Sequence, residues 1–461
     1  MAIIYNGTYT NGITLDDPAT QAVVLITGRV THVNADAIYG APGYAWDVIN
    51  SGTIANTGTA GQGIDLKAGG SATNDSGGSI SGVIDGVLIA GAAGTVGNSG
   101  TIAGSKGIGV YLDAGGKVTN GSTSAAAASI SGVFGVVVQG ALGTIANFGT
   151  IAGAPAGYAS EAVYLGAGGN LSNGQGGAPA ALISGYSGAL LRGGAGTVAN
   201  FATISGFSGT GVLLLGGGSV TNGTTGSAAA LISGHVDGVF VATSAGQVTN
   251  FGTIAGASRS GVYLAAGGSV TNGASGADTA LVSGGGDGIY IGGAAGTVSN
   301  FATIAGAGNV GVLLKAGGGV SNNAGGLIAG IAGIYFGGAG TVTNLGTIAG
   351  SNGDAVVLHA GGRIVNGASD AIDATVSGAS GVFADAAATI VDFGVIAGDN
   401  PGNNSGIFLD AGGSVTIGRY DRRRRRQRHP RRPCRQRHAD RRRRARLVPL
   451  RYRAQCRHKR R

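Results

Sequence analysis

Charge is what this sequence has least of. Asp, Glu, Lys and Arg make up 11% of its 461 residues, against about 25% in an ordinary globular domain. With 43% hydrophobic residues beside them, that scarcity excludes a solvated, disordered linker, which needs low hydropathy and high charge. Cysteine is nearly missing: Cys434 and Cys456 are the two, too few for a disulfide framework. The 96 glycines have no strict every-third spacing and there are only 8 prolines, so a collagen-like helix is excluded. No apolar run reaches about 18 residues, and no transmembrane helix is expected. The start, Met1-Ala2-Ile3-Ile4-Tyr5, lacks the basic region and long apolar stretch of a signal peptide. What is abundant is Gly, Ala, Val, Ile and Thr, short side chains that suit thin, stacked β-structure.

The basic residues are not spread along the chain. From Arg419 onward lie 22 of the 30 Lys and Arg, against two acids, Asp421 and Asp440; residues 1–418 therefore hold 8 basic and 19 acidic residues, a net of −11. The break falls inside a repeat unit: Val415-Thr416-Ile417 begins a strand, and an Arg-, His-, Pro- and Gln-rich stretch follows. Codons for Gly, Ala and Thr in a GC-rich repeat, read one base out of frame, encode that composition. Residues 418–461 are therefore read as a disordered or frameshift-derived tail. The competing reading is a polybasic arm for nucleic acid or anionic lipid, salt-sensitive and sequence-blind. No specific nucleic-acid partner is expected.

The body is a repeat. Asn147-Phe148-Gly149-Thr150-Ile151-Ala152-Gly153 recurs at 250–256, with near copies beginning at Asn98, Asn200, Asn300, Asn344 and Asp392. Each unit splits into two similar halves, as at 253–272 and 281–300, and fifteen half-repeats open between Thr53-Ile54 and Val395-Ile396. The asparagines that close them, from Asn50 to Asn366, recur every 22 to 28 residues. That is the length of one coil of a stacked β-helix, in which a coil cannot bury its apolar face without neighbours. Alternation puts Val298 and Ile304 on one face of 298–304, read as one strand, and Val262 with Leu264 on one face of a second. The expected fold is all-β: a right-handed parallel β-helix, or β-solenoid, of about fifteen coils over 49–417, behind an N-terminal β cap at 1–48. Parallel pairing should join residues about 24 apart. Ile54, Ile102, Ile151, Ile204, Ile254, Ile304 and Ile348 should be buried. Asn98, Asn147, Asn200, Asn250, Asn300 and Asn344 belong to a structural column whose amides hydrogen-bond from coil to coil.

The motif Asn-x-Gly-Thr-Ile with its neighbours, over roughly 49–417, resembles the β-helical passengers of bacterial autotransporters and filamentous-haemagglutinin-type adhesins. That resemblance implies an extracellular or outer-membrane surface location and an adhesin-like structural role; the scarcity of clustered catalytic groups makes the expected role non-catalytic. The resemblance also implies surface glycans, surface proteins or other rods of the same kind as partners. A polysaccharide-binding or polysaccharide-degrading β-helix protein is the alternative, because such rods also carry enzymes. The alternating ten-residue strands of a translocator barrel do not follow the repeats.

Chemistry is thin. The eight basic residues of the body are scattered, whereas polysaccharide cleavage needs clustered carboxylates with basic partners. Asp85, Asp237 and Asp287 share one position ahead of a glycine and read as turn residues; His235 beside Asp237 reads as a solvated loop histidine. No Cys/His quartet or calcium nonapeptide repeat is present, so no catalytic residue, cofactor or metal ligand is expected. One column remains. The residue between the two inward aliphatics of Gly-Val-Tyr-Leu should point outward, and it is aromatic at Tyr111, Tyr164, Phe240, Tyr263, Tyr290 and Tyr335. Such a stripe either ladders along the sheet or docks glycan rings or another rod.

Overall fold

One coil shows how the chain folds. Extended backbone sends successive side chains to opposite faces. Gly246–Asn250 thereby buries Val248 and Asn250, Thr253–Gly256 buries Ile254, and Val262–Leu264 buries both its ends. These short strands form three walls, each aiming aliphatics at one axis. The next coil covers them in register: Asn250 pairs with Asn272, Ile254 with Val282 and Tyr263 with Tyr290, all parallel. The bend between the first two walls follows the buried asparagine. The segment 298–304, expected as one strand, is therefore two, Gly296–Asn300 and Thr303–Gly306. Val298 and Ile304 still both face inward, each through the alternation of its own strand.

A computed structural model describes residues 3–16, 24–154, 160–175, 180–225, 229–276, 279–398 and 405–418. The tail from Arg419 lies outside the described residues. Within them, 52 strands form three parallel sheets, the first of 18 strands. The first sheet runs from Ile3–Tyr5 to Gly413–Ile417, the second from Thr8–Tyr9 to Val395–Gly398, the third from Ile13–Leu15 to Ile407–Leu409. The chain is an all-β parallel β-solenoid. The stretch read as an N-terminal cap contributes coils of the same stack: Ile3 pairs with Val24, and Leu25 with Ile49. Two coils thus precede the fifteen visible in the repeat. Their sequences match the consensus poorly, but the inward aliphatics Val30, Ile38 and Val48 remain.

The seven isoleucines expected in the core are all fully buried, and each stabilises the stack by about 1.5–3 kcal/mol. Glycine makes the close packing possible at two positions. At Gly196 a Cβ would come 2.5 Å from Leu191 Cδ2, so the absent side chain leaves room for the leucine of the third sheet. At Gly268 the backbone has φ +131° and a Cβ would lie 2.0 Å from the Gly246 carbonyl oxygen. No L side chain fits there without strain. No helix among the described residues is long and apolar enough to cross a membrane.

Candidate functional site

Each three-residue strand of the third sheet turns its middle side chain away from the axis. The column of these residues is continuous in register. Tyr111, Tyr164, Phe240, Tyr263, Tyr290 and Tyr335 all sit in it, half-buried. The column does not face solvent uniformly, as the alternation alone implied: Asp65, Val137 and Val357 are 3%, 4% and 8% exposed. In register Val137 lies between Tyr111 and Tyr164 and Val357 between Tyr335 and Phe383, while Asp65 pairs with Lys67. Only three of the six aromatics meet. Phe240 stacks on Tyr263 with centroids 4.8 Å apart, and Tyr263 meets Tyr290 edge-on at 4.6 Å and 80°. Aliphatic rungs separate the others: Tyr111 pairs with Val137, Tyr164 with Leu190, Tyr335 with Leu313. Tyr335 instead meets His359, whose Nδ1 contacts the Asp385 carboxylate. The Tyr111 hydroxyl donates to Asp113 Oδ1 at 2.8 Å. Burial, with the Asp113 carboxylate adding to it, pushes that phenol up to about 12.

A cleft of about 330 Å³ opens beside the aromatic trio, lined by Ser258, Arg259, Ser260, Tyr263, Asp287 and Tyr290 among others. Arg259 reaches back one coil to place Nη1 3.6 Å from Asp237 Oδ2, and its guanidinium carbon lies 5.5 Å from the Tyr263 ring centroid. Asp237 and Arg259 stand about one coil apart in the sequence, but coil lengths vary from 22 to 28 residues, so the spacing alone does not single out the pair.

Those aspartates join coils. Asp85 Oδ1 accepts the Ile108 N–H at 2.8 Å, Asp237 Oδ1 the Ser260 N–H at 2.9 Å, and Asp287 Oδ1 the Val310 N–H at 3.1 Å. Desolvation is the dominant influence on all three and holds their carboxyls above the usual range, despite the backbone donors. His235 lies exposed while Asp237 is buried against Ser260 and Arg259; the structure does not bring the two together as a dyad.

The asparagines end the first-sheet strands and point into the interior, where each is at most 2% exposed. Asn98, Asn147, Asn200, Asn250, Asn300 and Asn344 each donate through Nδ2 to the Oδ1 of the next asparagine at 2.7–2.8 Å. The ladder starts with Asn50 giving to Asn74 and stops with Asn366 giving to Asp392, both at 2.8 Å. Asp392 accepts but has no amide to pass on, and its register partner is Ile417. Among the described residues no three His, Cys, Asp or Glu side chains are grouped so as to hold a metal ion.

Among the described residues the fold is thus a repetitive parallel β-solenoid with an aromatic and polar cleft beside its third sheet. No protein family, no curated protein and no solved structure matches the chain.

Proposed function

We propose that the chain is a non-catalytic, adhesin-like rod of the autotransporter-passenger kind, displayed at the bacterial cell surface or outside it. One observation carries the reading: the side-chain ladder from Asn50 to Asp392 is unbroken, so coil after coil is spent on the same structural device. Such a stack extends a surface and offers its variable outward residues for contact. The aspartates Asp85, Asp237 and Asp287 support a structural role too, since each carboxylate is tied to the next coil's backbone. Glycans, surface proteins or further rods are the partners this reading favours.

The test uses the full chain. It is coated on beads and presented to surfaces bearing neutral and acidic polysaccharides, and released reducing ends are measured in parallel. Retention on a glycan surface without release is the expected outcome. Release of reducing ends would sink the non-catalytic reading in favour of a polysaccharide-degrading enzyme.

A further inference from the structure

We infer that the cleft beside Arg259 is a subsite for one neutral hexopyranose ring of a glycan. This rests on the adhesin-like reading and names its ligand class.

The charge pattern selects the ligand. Arg259 is the cation of the cleft, but its guanidinium already faces Asp237, and Asp287 adds a second carboxylate. A uronate, sulfate or phosphate would therefore meet net negative charge. A cationic ligand would compete with Arg259 for the Tyr263 ring. A purely apolar ligand would desolvate Arg259 and Asp287 without hydrogen bonds, which is unfavourable. A neutral polyol meets none of these obstacles.

The donors and acceptors also match. The Arg259 side chain is 56% exposed, so N–H groups not directed at Asp237 are open to ring hydroxyls. Asp287 Oδ1 is occupied by the Val310 N–H and by Asn309 Nδ2 at 2.8 Å, which leaves Oδ2 to accept from a hydroxyl. Ser258 and Ser260 also line the cleft; the Ser258 hydroxyl donates to the His235 carbonyl at 2.8 Å and keeps its lone pairs for a ring hydroxyl. Tyr263 and Tyr290, set at 80° to one another, form an apolar corner for the C–H face of a sugar. The lining is more polar than in the usual small-molecule site, which suits a polyol better than an apolar ligand, and the volume suits a single ring. Nowhere else in the column do two tyrosines meet.

The experiment titrates the full chain with methyl hexopyranosides and the matching methyl uronates by ligand-observed NMR. The work is done at about pH 8, well above the ordinary carboxylate range. Neutral hexosides are expected to bind, with uronates weaker by about tenfold. Arg259→Ala and Tyr290→Ser should each weaken hexoside binding about tenfold. Tyr290→Phe keeps the ring contact with Tyr263 and should retain most of the affinity, which separates loss of the subsite from loss of fold. Asp287→Asn retains an oxygen for Val310; it should weaken the hexoside and bring the uronate to parity. Uronates binding as tightly as hexosides to the unaltered chain would overturn the proposal, as would indifference to Arg259→Ala and Tyr290→Ser. Adhesion without hexoside binding sinks the subsite and keeps the rod; hexoside binding without adhesion does the reverse.

Discussion

The side-chain amide of Asn250 donates to Asn272 Oδ1 at 2.8 Å and also lies 3.0 Å from the backbone carbonyls of both Gly252 and Leu281, so its two N–H groups are shared among three acceptors. Its own Oδ1 accepts from Asn222 Nδ2 at 2.8 Å and from the Gly252 N–H at 3.2 Å. A fully buried amide is thus satisfied on every side, and chained amides of this kind polarise one another. Asn250→Ala strands several of these partners, and leaving buried polar groups unmade costs about 1–3 kcal/mol each. A loss of about 3 kcal/mol is expected in urea unfolding. Asn250→Asp should cost at least as much, because a carboxylate would face the two carbonyls it now serves. Asp392→Asn, at the end of the ladder, keeps the oxygen that Asn366 needs and should change stability by less than about 0.5 kcal/mol. Equal effects at the two positions would show that the ladder contributes nothing as a chain.

Acid should strengthen the solenoid before it weakens it. Burial raises the carboxyls of Asp85, Asp237, Asp287 and Glu161 in the folded chain. Unfolding returns them to about 4. The folded state therefore holds protons more tightly, so stability rises as pH falls from neutral through the raised values and levels off near the unfolded ones. The net −11 of residues 1–418 acts in the same direction by self-repulsion. Thermal midpoints between about pH 8 and about pH 4 should show this rise. Asp85→Asn keeps an acceptor for the Ile108 N–H and should flatten the rise. A midpoint that falls throughout acidification contradicts the account.

Tyrosines in the outward column should differ in worth. Tyr263 touches rings on both sides, and each aromatic pair contributes about 0.5–1.5 kcal/mol beyond area burial. Tyr164 has Val137 and Leu190 as rung neighbours. Tyr263→Ala should therefore cost about 1–3 kcal/mol more than Tyr164→Ala in matched denaturant melts. Equal costs would remove the aromatic ladder from the account of stability.

Asp65 interrupts the apolar column. Its side chain is 4% exposed, Oδ2 lies 2.7 Å from Lys67 Nζ, and Oδ1 has no hydrogen-bond partner. Burial raises its carboxyl above the ordinary range even with Lys67 beside it. Removing one member of a buried ion pair is costly when the other charge stays buried, but Lys67 is 34% exposed and can turn its ammonium to solvent once the acid is gone. Asp65→Leu continues the column between Tyr39 and Leu88 and should hold or raise the melting temperature. Lys67→Met leaves the buried carboxylate without its cation and should lower it. The opposite order would mean that the ion pair stabilises this coil.

By itself the sequence determined the coil. Alternation in Val262–Leu264, the spacing of the asparagines and the recurring Thr-Ile are local, period-two facts. They specify which face of each strand is apolar and that only stacking can bury it. The coils before Asn50 were not legible as coils, because the consensus weakens there while the inward aliphatics persist at Val30 and Ile38. The division of 298–304 into two walls was hidden as well, since both arrangements bury the same two residues. Tertiary structure alone decided the rest. Coil lengths vary, so pairings such as Arg259 with Asp237 and His359 with Asp385 depend on the register between neighbours. The cleft exists for the same reason: its walls come from two coils, and no single strand contains both the tyrosine corner and the groups that face it.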